Sequence, residues 1–567
     1  MAVLAFGFAQ ATATIITASV FAVAAYVYNK LRETRITRNA HLPQLRPSWL
    51  WGHMLLFDKF TKQGVVDRHP DVIFREMHEE LGRPPVFVLD NRPAVPSMVI
   101  VASHEVAEQI SRSSNVFPHS VPKSPSTERI MDLIGPRSIL LKQGDEWKAS
   151  RKRFNPGFAP HHLMTLWPVI FDKANLYLQI LDHFALTKEQ FQLDQHTTNL
   201  TFDIIGAVTM GVDMNAQQRD PKQQGELVRL YKQLIKSMSF IPHWKTLVSF
   251  ADDKLQPPWW LIPRTYMKRR RLGQLIQEKM ETIVQSSFGA SQEISDTAGA
   301  RSILALSLQG MTSLTPDVLA DTCDQLKTFL FAGHDTTSTL ICWTVYELSR
   351  TPRALKAVRD ELDQIFGSET ARDSAAICQK LLSPGGVELI HKMAYISAVL
   401  KEVLRLYPPA GSIRIANPGM GLVVTTPQCD YKLDGNWVYL NHHIIQRDRT
   451  VFGETADDFV PERWLLAGEA GFPSGAWRPF ERGPRHCIGL ELANMEARVI
   501  VALLAHRYTF EKVGLGELDL GEGGKPALND KGQFATKSEL YVLTEPDYSN
   551  QWQAGGWNVS EGAPSFA

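Results

Sequence analysis

Cysteine is scarce in this chain: five in 567 residues (Cys323, Cys342, Cys378, Cys429 and Cys487), an odd number with no C-x-x-C spacing. That excludes a disulfide scaffold and a zinc ribbon, so each cysteine has to be judged by its own neighbourhood. An excess of either charge is also missing. Lys and Arg number 60, Asp and Glu number 60, and the formal net charge is zero. A protein that coats nucleic acid needs a basic surplus to release counterions, so no nucleic-acid partner is expected. No Gly-x-Gly-x-x-Gly follows a strand-like run and there is no P-loop, which leaves the chain without those devices for binding its own dinucleotide. Internal repeats and low-complexity blocks are absent from about residue 52 onward. Hydrophobic residues at 44% and charged residues at 21% are ordinary for a folded globule and exclude disorder over most of the length.

Charge is missing altogether from Ala2 to Tyr28, where Gln10 is the one strongly polar side chain among Ala, Val, Ile, Phe and Thr. About 20 apolar residues span a bilayer core, so residues 2–28 read as a single-pass transmembrane anchor. Lys30, Arg32, Arg35 and Arg38 follow it and no basic side chain precedes it, an asymmetry that places the downstream chain in the cytosol. A cleaved secretory signal would have a shorter apolar core behind a basic start. The sequons at Asn199 and Asn558 are then without consequence. Residues 29–51 are basic and contain Pro43 and Pro47, which break a helix and read as a stiff linker. A catalytic domain is expected over 52–546, and a flexible tail rich in Gly, Ser, Asn and Trp over 547–567.

Within the domain, helical patterns run over Gln274–Val284, Pro316–Arg350, Pro352–Phe366 and Tyr395–Leu406. Short β-rich runs occur at Val86–Leu89, Met98–Val101, Leu422–Thr426, Tyr508–Lys512 and Glu539–Thr544. Without a regular βαβ alternation, this order predicts a mainly α fold with small peripheral β-sheets.

One decapeptide carries the chemistry. Residues 480–489 read Phe-Glu-Arg-Gly-Pro-Arg-His-Cys-Ile-Gly and precede the helix-forming run LELANMEARVIVALLA. Cys487 thus stands just before a helix N-terminus, where unpaired N–H groups and the dipole favour a thiolate. Gly483 and Gly489 permit tight turns and close approach of a flat ligand, and Arg485 can reach an anionic group on that ligand. A thiolate, glycine clearance and a cation together suit an axial ligand of haem iron, whose propionates need cations. At ordinary residue frequencies, Phe-x-x-Gly-x-Arg-x-Cys-x-Gly arises by chance on the order of once in ten thousand such chains.

The decapeptide resembles the haem-binding loop of the cytochrome P-450 family, with Phe480, Gly483, Arg485, Cys487 and Gly489 matching its pattern. One departure is Glu481, where relatives often carry Gly or Ser. Further motifs follow the family's order. Residues 332–337, Ala-Gly-His-Asp-Thr-Thr, lie inside the helix Pro316–Arg350. There Ala332 and Gly333 would adjoin the haem and clear room over oxygen, and Thr336 can bond the i−4 carbonyl and open the helix ladder. Thr336 corresponds to the family's oxygen-activating threonine and Asp335 to its acidic, proton-delivering neighbour. Glu402 and Arg405, followed by Tyr407-Pro408-Pro409 and later by Arg463, match a structural triad that supports the loop. The same Glu-x-x-Arg spacing recurs at Glu80/Arg83, Glu226/Arg229, Glu347/Arg350 and Glu369/Arg372, read as solvated helix faces. Trp147 and Arg151 share one helix side at (i, i+4) and, with Arg414, match propionate-binding positions.

The resemblance covers about residues 40–545 and implies a cytochrome P-450 fold behind one transmembrane helix. It also implies haem b on the Cys487 thiolate and a monooxygenase that inserts one atom of O2 into a lipophilic substrate. Two electrons are needed. For membrane-anchored relatives they come from NADPH-cytochrome P-450 reductase of the endoplasmic reticulum, with cytochrome b5 as a second candidate donor. Lys148, Lys152 and Arg153 would meet an acidic reductase surface. Trp259, Trp260 and the run Lys268–Arg271 read as a membrane-dipping segment or a solvated helix start. Residues around 115–135, 235–262, 331–336 and 410–415 would line the pocket. The texture of KTFLFAGHDTTS and FVPERW resembles filamentous-fungal enzymes of secondary metabolism. A peroxide isomerase or dehydratase, a fatty-acid or sterol hydroxylase of primary metabolism and a non-catalytic haem sensor are the competing functions. Retention of Asp335 and Thr336 argues against the first, and a sensor would not need a proton-delivery helix.

Overall fold

The computed structural model describes residues 2–63, 68–92, 96–238, 264–293, 302–466, 471–521, 524–538 and 556–561. Six helices matter for function: α1 (Ala2–Arg32), α2 (Gly144–Phe154), α3 (Leu193–Met210), α4 (Pro316–Arg350), α5 (Ala394–Leu406) and α6 (Leu490–Ala505). The 35-residue α4 begins where the sequence dictates. Thr315 caps it through its side chain, Pro316 occupies the first turn, and Arg350 stands in the last turn, where a cation suits the dipole. Its flanks bury apolar side chains such as Leu326, Phe329, Leu330, Leu340, Ile341 and Trp343, so it is a core helix with packing on all sides. α3 lies along it and is buried over nearly its whole length, Gln195 and Thr198 being less enclosed. α3 ends at Gly211, which takes the left-handed conformation that stops a helix.

Strands form a minor part. β1 (Val86–Leu89), β2 (Met98–Val101), β3 (Ser412–Ala416) and β6 (Asn436–Leu440) make a four-stranded sheet in the order β1-β2-β6-β3, with β2 and β6 parallel and the other pairs antiparallel. In β3, Ser412, Arg414 and Ala416 alternate onto the buried face. β4 (Val423–Thr425) pairs with β5 (Asp430–Lys432), and β7 (Tyr508–Lys512) with β8 (Trp557–Glu561). The mainly helical architecture with peripheral sheets matches the pattern expected from the sequence. Strand β8 corrects the flexible-tail reading over part of 547–567: Trp557 is buried and Phe510 lies opposite Val559. Composition missed it because the partner strand is some 50 residues away. The expected run Glu539–Thr544 lies outside the described residues.

The N-terminal segment also differs from a spacer. α1 is the one described helix long and apolar enough to cross a membrane, and it runs four residues past Tyr28 before continuing as a wider helix over Glu33–Thr37. Arg35 is buried and pairs with Asp90 at 2.7 Å, donating also to the carbonyls of Leu50 and Arg92. Arg92 returns a bond to Thr34 O, Arg38 reaches Gly435 O, and Val88 N donates to Pro43 O. Tyr28 stacks on Trp49 at 5.3 Å. Residues 29–51 are therefore a strap bonded to the β-sheet, because their arginines find a buried carboxylate and free carbonyls there.

Candidate active site

Halfway along α4 the packing opens. Residues 322–330 and 337–348 are buried, yet between them Ala332 is exposed and Gly333, Asp335 and Thr336 are partly so. Thr336 Oγ1 donates to Ala332 O at 2.7 Å, the i−4 bond its residue type favours in a helix. The helix nevertheless continues unbroken through this turn. His334 points away from the opening, tilted against the Phe202 ring at 4.2 Å with its Nδ1 against Leu330 O, and burial pushes its imidazole down to about 4. Gly333 differs from its expected role. A Cβ there would come within 2.6 Å of Ile205 on α3, so the glycine is required by helix–helix packing rather than by clearance over a ligand.

The Cys487 loop is folded against a different wall. Cys487 N donates to Phe480 O at 2.8 Å and His486 N to Gly483 O at 3.1 Å, which closes the loop before α6 starts. Gly483 has φ +71°, and a side chain there would run into Ser111 O. Phe480 packs on the main core and edges onto Trp477. Cys487 keeps exposed surface. Crowding pushes its thiol up, while the Gly489 N–H, Arg151 and Lys123 pull it down; the balance is upward. Coordination to a metal deprotonates such a sulfur outright.

Four cations gather about this loop, two of which, Arg151 and Lys123, act on the sulfur itself. Arg151 donates to His486 O at 2.8 Å, holding the loop from α2. Arg485 lies over the Trp147 ring at 4.7 Å and donates to Lys142 O at 2.9 Å. Arg414, fully buried on β3, contacts Val121 O and reaches Glu481 Oε2 at 3.5 Å. Lys123 donates to Ser412 Oγ at 2.8 Å, and burial and the neighbouring Arg414 push its ammonium well below the ordinary range. Arg485 is lowered by burial and then by Arg414 and Arg151, so these groups repel one another across a shared space. Trp147, Arg151, Arg414 and Arg485 are thus brought together; Trp147 and Arg151 reach Arg485 and the loop backbone respectively, rather than forming a separate pair. Lys123 escaped notice, since one lysine between Pro122 and Ser124 carries no local pattern.

Glu481 is the loop's one carboxylate. It takes φ +57°, is nearly enclosed, pairs with Arg478, and accepts from Ser111 Oγ at 3.1 Å. Burial pushes its pKa up, but Arg478, His442, Arg414 and Lys123 outweigh that and hold the carboxyl well below the usual carboxylate range.

Behind the loop, Glu402, Arg405 and Arg463 meet. Arg405 grips Glu402 with two bonds of 2.9 and 2.8 Å, and Arg463 Nε, Trp464 Nε1 and Val460 N complete its acceptor capacity at 3.0, 2.9 and 3.0 Å. Gln446, fully buried, connects this hub to the loop: its amide donates to Leu404 O and Arg405 O, and its oxygen accepts from Arg478 N. A second hub corrects the solvated reading of Glu347/Arg350. Glu347 is buried and accepts from Arg350, from Tyr407 OH at 2.6 Å and from Gln533 at 3.0 Å. Identical (i, i+3) spacing serves surface and core, which is why the sequence did not separate them.

Of the expected partner-facing cations, Lys148 and Lys152 are exposed, but Arg153 folds inward onto Asp321 and Thr322. Trp259 and Trp260, and pocket residues 239–262, lie outside the described residues. Lys268, Arg270 and Arg271 are exposed on the helix Arg264–Glu293, while Arg269 is buried against Asp132.

Comparison with known proteins agrees with this arrangement. The family model for cytochrome P450 matches residues 42–529. Cytochrome P450 monooxygenase acrF of Aspergillus aculeatus is 31% identical over 78% of this chain and 88% of its own. Cytochrome P450 monooxygenase polC of Polytolypa hystricis is 27% identical over 92% and 88%. A self-sufficient cytochrome P450 monooxygenase of Aspergillus terreus is 26% identical over 64% of this chain but 31% of its own length. A cysteine loop ringed by cations, a helix that opens at Ala-Gly-His-Asp-Thr-Thr and a family match across most of the length lead to one statement: the chain belongs to the cytochrome P450 family, whose members hold haem iron on a cysteine thiolate.

Proposed function

We propose that Cys487 is the axial thiolate of a haem b and that the protein is an O2-dependent monooxygenase of a lipophilic small molecule in fungal secondary metabolism. The observation that carries this is the convergence of Lys123, Arg151, Arg414 and Arg485 on the Cys487 loop. The fit to a dianionic metalloporphyrin can be judged from the donors themselves. The loop offers one sulfur for a metal, and the Nε of Arg414, fully buried, has no hydrogen-bond partner among the described residues. A buried N–H left without an acceptor is costly, and a propionate oxygen would supply one. Arg414, Arg485 and Lys123 would bind the carboxylates; Trp147 holds Arg485 by its ring, and Arg151 fixes the loop. Haem on a thiolate supplies O2 activation, the ligand favouring O–O cleavage.

The chain's own residues do the rest. Thr336 Oγ1 commits its proton to Ala332 O, so its lone pairs remain to accept from water where the packing opens. Asp335 next to it relays protons from solvent. Gly333 keeps α3 and α4 close enough to hold that turn rigid. Glu402, Arg405 and Arg463 act in folding, through Gln446, on the loop. Electrons come from an NADPH-dependent reductase that docks near Lys148 and Lys152, with the catalytic domain on the cytosolic face of the endoplasmic reticulum. The fungal relatives, both named as monooxygenases, support a monooxygenase over an isomerase. The test is the reduced carbon monoxide difference spectrum: a thiolate-type band is expected from the purified chain and its loss in Cys487→Ser. A colourless protein, or an unchanged band in the variant, overturns the reading. NADPH and O2 consumption with added reductase then separates a monooxygenase from an isomerase or a sensor.

A further inference from the structure

Glu481 holds a backbone conformation that its residue type seldom adopts. At φ +57° it occupies the left-handed region, which a glycine enters freely and a glutamate does not. A local strain of this kind persists where the surroundings hold it. Here the carboxylate is held on all sides. Arg478 pairs with it, Ser111 Oγ and Arg482 N donate to it at 3.1 Å each, Arg414 lies at 3.5 Å and His442 Nε2 at 4.0 Å. Arg414 and Arg478 have no exposed side-chain surface, and among the described residues Glu481 is the carboxylate that ion-pairs with either. The loop region thus holds Lys123, Arg151, Arg414, Arg478 and Arg485 against one carboxylate. Two arginines buried without a counter-ion would not stay buried.

We infer that Glu481 is a built-in counter-charge of the haem cradle: a positioning residue that keeps Arg414 and Arg478 folded into it, and a fixed negative charge that holds the iron's reduction potential down. This rests on the haem-thiolate reading above. A negative charge near the iron stabilises the ferric over the ferrous form, so its removal shifts the couple toward reduction.

The experiment uses the full-length holoenzyme. Wild type, Glu481→Gln and Glu481→Asp are titrated with dithionite and mediators, following the ferric and ferrous Soret bands. Glu481→Gln, which keeps the shape and one acceptor oxygen for Arg478, Ser111 and Arg482 N, is expected to shift the ferric–ferrous equilibrium toward ferrous by about tenfold, or about 59 mV for a one-electron couple. Glu481→Asp should return to within about threefold of wild type. Equal potentials in wild type and Glu481→Gln overturn the inference, as does an equal rise in Glu481→Asp, which would assign the effect to packing. If Glu481→Gln fails to fold, Glu481→Ser, which relieves part of the crowding and removes the same charge, replaces it with the same expected rise; an unchanged potential there also overturns it. Should the wild type itself lack the thiolate band, the haem-thiolate reading has failed, and that outcome is recognisable before any titration.

Discussion

Replacing Glu402 with alanine tests the hub behind the cysteine loop quantitatively. Glu402 accepts two bonds from Arg405 and one each from Arg463, Trp464 and Val460 N, and neither it nor Arg405 has exposed surface. Its removal leaves the Arg405 guanidinium buried with backbone carbonyls of Gln446, Ala456 and Asp458 as its acceptors. Breaking a buried ion pair from one side costs about 3–5 kcal/mol. Unfolding entropy near 60 °C is about 2.1 cal/mol/K per residue, so a domain of about 500 residues has roughly 1 kcal/mol/K. The expected fall in midpoint is therefore about 3–5 °C, a modest shift for a large free-energy loss. Because large domains often unfold irreversibly, all variants are compared at one scan rate. The measurement is differential scanning calorimetry alongside the carbon monoxide band at 25 °C and at 40 °C. Glu402→Ala with Arg405→Met should melt higher than Glu402→Ala alone, since the fully buried Arg405 charge is then gone while Arg463 keeps the carbonyls of Phe452 and Thr455. A single variant that melts within 1 °C of wild type, or a double variant below the single, refutes the assignment.

Other outcomes follow from the same geometry. Gly333→Ala drives a methyl against Ile205 and should cost about 1–3 kcal/mol, recovered in part by Ile205→Val; a neutral Gly333→Ala would show that α3 and α4 are not tightly apposed. Lys148→Glu with Lys152→Glu should slow reduction by reductase severalfold in stopped flow without lowering the melting point, whereas Arg153→Glu should destabilise, because Arg153 faces Asp321 and Thr322. Burial pushes the Asp194 carboxyl up to about 6, so the folded state binds a proton that the unfolded state releases at about 4. Stability should thus fall by about 2–3 kcal/mol between pH 4 and 6, and Asp194→Asn should flatten that slope in urea titrations; an unchanged slope refutes it.

Much of this architecture could be read in the chain beforehand, and the reasons are local. α4 and the helix Pro352–Phe366 have the residue bounds that Thr315, Pro316, Pro352 and the closing Gly367 announce. The cysteine loop was legible because its glycines, arginine and sulfur sit at fixed offsets. What stayed hidden depends on distant pairing. Lys123 reaches Ser412 across nearly three hundred residues, Glu347 meets Tyr407 and Gln533 from other elements, and Arg35 finds Asp90 through tertiary contact alone. Gly333 was assigned to ligand clearance because the sequence shows the missing side chain but not the neighbour, Ile205, that needs the space.

The Arg35–Asp90 pair has a practical corollary for anyone wishing to work without detergent. Deleting the first 34 residues would spare the pair but remove the Thr34 carbonyl to which Arg92 donates; cutting a few residues later would strand Asp90 opposite Arg92 alone and uncover the edge that Arg38 and Asn39 close against Gly435 and Asn436. A water-soluble form therefore has to start between the end of the apolar stretch and Thr34. The same stitching fixes the end of the apolar helix to the sheet, the strap acting as a bracket and not as a tether.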